Sequence, residues 1–161
     1  MISEHAISSY PDECCGLILG PKQESYQPSD LEIVLCRNIQ NKMHELDPEN
    51  YPRTARTAFL IEPKEFLRID NSTKEGKILI GIFHSHPDED SYFSDEDKSA
   101  AVPFGDIPTF PDAEHIVVSV FENEIREIKV FAWDEKKKDF IQGIFNVVSN
   151  YGVTPNIRVI M

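Results

Sequence analysis

Short apolar runs alternate along this chain with polar stretches marked by proline and glycine, and no apolar run is long. Residues 2–10 carry a helical pattern that Pro11 closes. Cys15–Leu19 is a compact apolar run with Gly16 and Gly20 as punctuation, which predicts a buried strand. A polar connection, Pro21–Asp30, leads to the weakly alternating Leu31–Arg37, a second strand. Asn38–Arg56 is polar, contains Pro48 and Pro52, and reads as a long loop of the kind that is mobile or functional. Phe59-Leu60-Ile61 is strand-like. Pro63–Ile69 is helical, with Pro63 suited to a first turn and Phe66, Leu67 and Ile69 apolar. Lys77–Phe83 predicts another strand, and Ser94–Ala101 a helix. Pro103–Asp112 holds three prolines and Gly105 and reads as irregular. Ile116–Phe121 and Glu127–Trp133 predict strands joined by the turn Glu122-Asn123-Glu124. Phe140–Val148 is apolar and fits strand or helix. Strands mixed with two or three helices predict an α/β sandwich around one mixed sheet. The length is that of a single domain, residues 1–161.

Candidate chemistry sits at the end of the third strong strand. Residues 80–97 read I-G-I-F-H-S-H-P-D-E-D-S-Y-F-S-D-E-D. Positions two apart on a strand share a face, so His84 and His86 point together, Ser85 points away, and Pro87 ends the run. Seven residues later comes Ser94, and three beyond it Asp97. Two imidazoles and one carboxylate converging on a point suit a catalytic zinc, which takes three protein ligands and keeps a fourth position open. Ser94-x-x-Asp97 is also a helix capping box, and the two readings are compatible. A cap that fixes the helix start would also hold Asp97 still on the first turn.

With the upstream segment Tyr10-Pro11-Asp12-Glu13-Cys14-Cys15-Gly16-Leu17-Ile18-Leu19-Gly20, the motif His84-Ser85-His86-Pro87…Ser94…Asp97 resembles the JAMM (MPN) metalloprotease family in its prokaryotic branch. The resemblance covers roughly residues 1–133 and leaves no motif position empty. It implies the MPN fold, a mixed sheet flanked by helices with a cytidine-deaminase-like layout. It implies Zn2+ held by His84, His86 and Asp97, Glu13 as general base, and Ser94 as a donor to the oxyanion. It further implies a substrate in which a peptide or isopeptide bond follows the C-terminal Gly-Gly of a ubiquitin-like or sulfur-carrier protein. The loops 38–56 and 103–112 are then the expected recognition elements. Tyr92 and Phe93 sit in the spacer, where each fits either a wall of the substrate groove or core packing. A catalytically silent MPN scaffold is the alternative, although such relatives usually lack several of these residues. A nucleobase deaminase requires H-x-E and P-C-x-x-C, and neither occurs. H-E-x-x-H is absent too.

Charge and cysteine content narrow the setting. There are 28 acidic against 16 basic residues, a formal net charge of −12, which argues against a nucleic-acid partner. Lys136-Lys137-Lys138 falls in an expected hairpin turn and reads as solvated. Cys14, Cys15 and Cys36 do not make a disulfide framework; they read as small core residues in a reducing cytoplasm. No apolar stretch reaches the roughly 18 residues of a membrane span, and the start lacks the pattern of a signal peptide. His5, His44 and His115 read as surface or supporting residues rather than ligands, and Trp133 as core.

Overall fold

A computed structural model describes residues 1–22 and 27–143. Six strands form one sheet in the order β2-β1-β3-β4-β5-β6: β1 Cys15–Pro21, β2 Glu32–Cys36, β3 Lys77–Pro87, β4 Glu114–Phe121, β5 Glu124–Asp134 and β6 Asp139–Gln142. Only β3 and β4 run parallel; the other neighbours are antiparallel, so the sheet is mixed as expected. The helices are α1 Ile2–Ser9, α2 Gln40–Leu46, α3 Leu67–Lys74 and α4 Asp95–Ala101. No helix among the described residues is long and apolar enough to cross a membrane.

Side-chain alternation divides the core between the two faces. Ile18, Phe83, Ile116, Val118 and Val130 pack with Ile2 and Ala6 of α1. Phe83 lies directly over Gly16, its register partner; a Cβ on Gly16 would come within 2.2 Å of the Phe83 ring. A side chain there would force the strand and ring apart, which is why this position needs glycine. The opposite face carries two clusters. One joins Leu17, Leu19, Cys36, Leu79 and Ile82 to Phe66 and Ile69 beneath α3. The other joins Val117, Phe131 and Phe140 to Phe93 and to Ala101 at the end of α4. His84 stands on this face, between Ile82 of one cluster and its partner Val117 of the other.

Several expectations are corrected. The stretch 38–56 is no open loop: α2 forms within it, and Asn38 pairs with Ile61 in a single bridge. Phe59-Leu60-Ile61 is therefore not a strand. The reason is polar anchoring: Asn38, Gln40 and Asn41 supply side-chain partners that replace a ladder. Strand β3 continues through both histidines to Pro87, because β4 pairs with it along that whole length. His115 lies inside β4 rather than before it. Trp133 is only partly buried, its indole N–H donating to Glu135. Of Phe140–Val148, residues 140–142 are strand and 144–148 lie outside the described residues.

Candidate functional site

β3 delivers the two imidazoles. Parallel pairing sets His84 beside Val117 and His86 beside Ser119, so both residues are fixed by a ladder and not by a loop. The turn after Pro87 is pinned as well. Asp88 N–H donates to the Val120 carbonyl, and Ser119 Oγ donates to the Glu89 carbonyl at 2.6 Å. His86 Nδ1 lies 3.0 Å from the Asp90 carbonyl. A carbonyl only accepts, so Nδ1 carries the proton and Nε2 presents its lone pair. His84 is oriented differently: its ring stacks on Phe59, with centroids 4.6 Å apart, and its buried Nδ1 has no hydrogen-bond partner among the described residues.

Asp97 comes from the first turn of α4. The capping box is complete: Asp97 N–H donates to Ser94 Oγ, and Ser94 N–H donates to Asp97 Oδ2 at 2.9 Å. Ser94 Oγ lies 2.6 Å from the same Oδ2. A carboxylate only accepts, so the Ser94 hydroxyl proton is directed at Asp97. Burial would raise the Asp97 pKa, but the neighbouring imidazoles of His84 and His86 and the Ser94 hydroxyl outweigh it and hold the carboxyl far below its usual range.

The three donor atoms meet. His84 Nε2 and His86 Nε2 are 3.1 Å apart, and Asp97 Oδ2 lies 3.4 Å from the first and 3.6 Å from the second. Ligands about 2.0–2.1 Å from a tetrahedral ion are separated by roughly 3.3–3.4 Å, so this triangle matches one face of such a coordination shell. Nitrogen and carboxylate donors, with lone pairs converging at that spacing, fit a divalent metal ion.

Glu13 reaches the same place from the segment that leads into β1. Cys15 is the register partner of His84, and two further residues along the antiparallel pair set Glu13 opposite His86. Its main chain is held on both sides: Glu13 N–H donates to the Ala55 carbonyl at 2.7 Å, and its carbonyl accepts from Asn38 Nδ2 at 2.9 Å. The side chain is buried, not exposed as its place before a strand suggests; the residue is only 6 % accessible. Burial pushes its pKa up to about 8, the nearby Asp97 charge adds to the rise, and His86 and Arg53 oppose it. Glu13, His86, Ser94 and Asp97 line one cleft. Loop residues 56–59 form one wall and Tyr92 another, its ring edge-on to His86 at 5.0 Å. Phe93 turns inward instead and packs against His115 and Phe131.

The cysteines are all free and buried, and desolvation raises the Cys14 thiol to about 12 and the Cys36 thiol to about 11. They are inert core residues. His115 is buried against Phe93 and Phe140, and burial lowers its pKa to about 4. His5 of α1 packs edge-on to Phe83, and His44 Nδ1 meets the Tyr51 carbonyl. None of these three joins the donor triangle. Sequence reasoning missed Asn38, which ties Glu13 to the 58–60 segment through three hydrogen bonds and accepts a fourth from Gln40 N–H. It also missed Phe59 and Arg53. Their only sequence signal is that they lie in or beside a polar segment too long for a simple connection.

The chain belongs to the family described as prokaryotic homologs of the JAB domain, whose model matches residues 1–134. The MPN fold expected from the motif is thereby the fold of this chain. Solved structures of similar fold include a solution structure from Desulfitobacterium hafniense, at 22 % identity and TM-score 0.58, covering 88 % of this chain and 82 % of that one. A solution structure from Salinibacter ruber matches at 21 % identity and TM-score 0.51, covering 88 % of this chain and 81 % of that one. A JAB1/MPN domain protein from Archaeoglobus fulgidus aligns at 21 % identity and TM-score 0.44, covering 87 % and 85 %. No curated protein matches significantly.

Proposed function

We propose that this chain is a zinc-dependent peptidase that cuts the peptide or isopeptide bond after the C-terminal Gly-Gly of a ubiquitin-like or sulfur-carrier protein. The observation that carries the reading is a three-donor triangle, two of whose members line one cleft together with a buried glutamate held by its backbone. A silent scaffold has no use for that glutamate. Burying a carboxylate costs free energy unless a function or a partner offsets it.

His84, His86 and Asp97 would hold the ion. When bound, zinc supplies Lewis acidity, lowering the pKa of water from about 15.7 toward about 7 and polarising a carbonyl. Glu13 would take the proton of the attacking water and deliver it to the leaving amine. Ser94 would donate to the oxyanion by rotating its hydroxyl away from Asp97; losing such a donor costs about 2.7–4 kcal/mol. Tyr92 and the 56–59 loop wall a cleft that suits an extended tail without side chains, and only Gly-Gly lets a backbone approach that closely.

The test is metal analysis combined with cleavage of a panel of ubiquitin-like proteins carrying short extensions after Gly-Gly. Near one zinc per chain and chelator-sensitive cleavage after Gly-Gly are expected. Full zinc loading without turnover on the whole panel would replace this reading with the scaffold.

A further inference from the structure

Arg53 is the cation of the cleft that no acid neutralises. Arg56, three residues on, is engaged: its Nη2 lies 2.7 Å from Asp88 Oδ2, and Asp88 also accepts from the Tyr10 hydroxyl. Arg53 has no carboxylate within ion-pair distance among the described residues, although the lining includes Glu89 and Glu96. Its recorded side-chain bond is Nη1 donating to the Thr57 carbonyl at 3.0 Å. Its backbone is anchored separately, the Arg53 carbonyl accepting from the buried Gln40 Nε2 at 2.8 Å. Main chain and one guanidinium nitrogen are thus pre-positioned, and Arg53 lines the cleft with Glu13. Glu13 feels that charge, which favours its carboxylate form.

We infer that Arg53 is a specificity-determining residue that binds a carboxylate on the leaving group, so that the site prefers a substrate whose residue after Gly-Gly ends in a free α-carboxylate. This inference rests on the peptidase reading. Glu13 hands its proton to the leaving amine, so a cation near Glu13 is near that amine. In a leaving amino acid the α-carboxylate sits two bonds from the amine. In an isopeptide the leaving amine is a lysine Nζ, with no carboxylate near it. A guanidinium accepts a carboxylate bidentately, which a neutral amide cannot reproduce. The favoured reaction is therefore hydrolysis that trims a C-terminal residue: the C–N bond after Gly-Gly breaks, water supplies OH to the glycine carbonyl and H to the amine, and a free amino acid leaves.

The probes are acetyl-Ala-Ala-Gly-Gly-Ala as free acid and as carboxamide, titrated by calorimetry into zinc-loaded wild type, Arg53→Gln and Arg53→Lys, with hydrolysis followed in parallel. Wild type is expected to bind the acid about ten- to a hundredfold more tightly than the amide. Arg53→Gln should erase that ratio with amide binding unchanged, and Arg53→Lys should keep part of it. Equal binding of acid and amide by wild type, a preference that survives Arg53→Gln, or no binding of either peptide would overturn the inference. The two readings separate cleanly. Acid preference lost in Arg53→Gln without hydrolysis of any Gly-Gly substrate would leave the carboxylate site standing and remove the peptidase. Hydrolysis without acid preference would do the reverse.

Discussion

Cys15 and His84 face each other directly across β1 and β3, and this single pairing brings Glu13 into one cleft with His86 and Asp97. Seventy-one residues separate Cys14 from Ser85, yet Cys14 N–H donates to Ser85 Oγ at 2.8 Å, and Ser85 N–H donates to the Cys14 carbonyl. Those two bonds lock the register. A slip of one residue would turn Glu13 to the α1 face, because side chains alternate along a strand.

Glu13→Gln is expected to leave zinc stoichiometry unchanged and to lower kcat by about 10²–10⁴-fold, the usual worth of a positioned acid–base group. Metal analysis beside steady-state cleavage checks this. Unimpaired turnover would remove Glu13 from the chemistry.

Asn38 acts on Glu13 from behind. Its Nδ2 donates to the carbonyls of Glu13 and Ala58, and its Oδ1 accepts from the amides of Gln40 and Leu60. Asn38→Ala strands these groups and should cost about 1–3 kcal/mol in urea unfolding. Turnover should fall further than the unfolded fraction explains, with zinc affinity kept. Asn38→Asp retains two acceptors but sets a charge against two carbonyls, and should not rescue.

Ser94→Ala removes the cap of α4 and the hydroxyl directed at Asp97. Loss of an N-cap side chain costs about 1 kcal/mol. The expected result is a lower denaturation midpoint together with weaker zinc retention in a chelator competition, since Asp97 loses two of its restraints. Unchanged zinc retention would mean that α4 holds Asp97 without the cap.

Sequence legibility followed how local each cause is. The histidines, Pro87 and the capping box were readable because alternation and capping act over two or three residues. Asn38–Arg56 was misread because α2 turns the polar Gln40 inward and leaves Leu46 at the surface, inverting the apolar signal. The partners of Asn38 and Arg53 lie in other segments, and no periodicity marks them. Burial of Glu13 followed from strand pairing, not from its neighbours in sequence.

Glu114 gives a pH dependence separate from the site. It opens β4 with no ion pair or hydrogen bond from its side chain among the described residues, and burial pushes its pKa up to about 8. A carboxyl whose pKa rises on folding binds protons more tightly when folded. Its contribution is therefore most favourable below pH 4.5 and is lost progressively as pH rises to about 8. Glu114→Gln stays neutral, so the variant should match wild type near pH 4 and exceed it in stability at pH 8. Parallel unfolding curves over that range check the sign.

The parallel β3–β4 pair and the β1–β3 pair join distant parts of the chain, whereas β4-β5-β6 turn back on themselves at short range. Closing long stretches carries an entropy cost that hairpins avoid, and non-local pairing slows folding. His84 and His86 sit on β3, between the two slow seams, and Glu13 directly precedes β1. A nascent or partly folded copy is therefore expected to carry its hairpins before Glu13 and the two histidines are brought together.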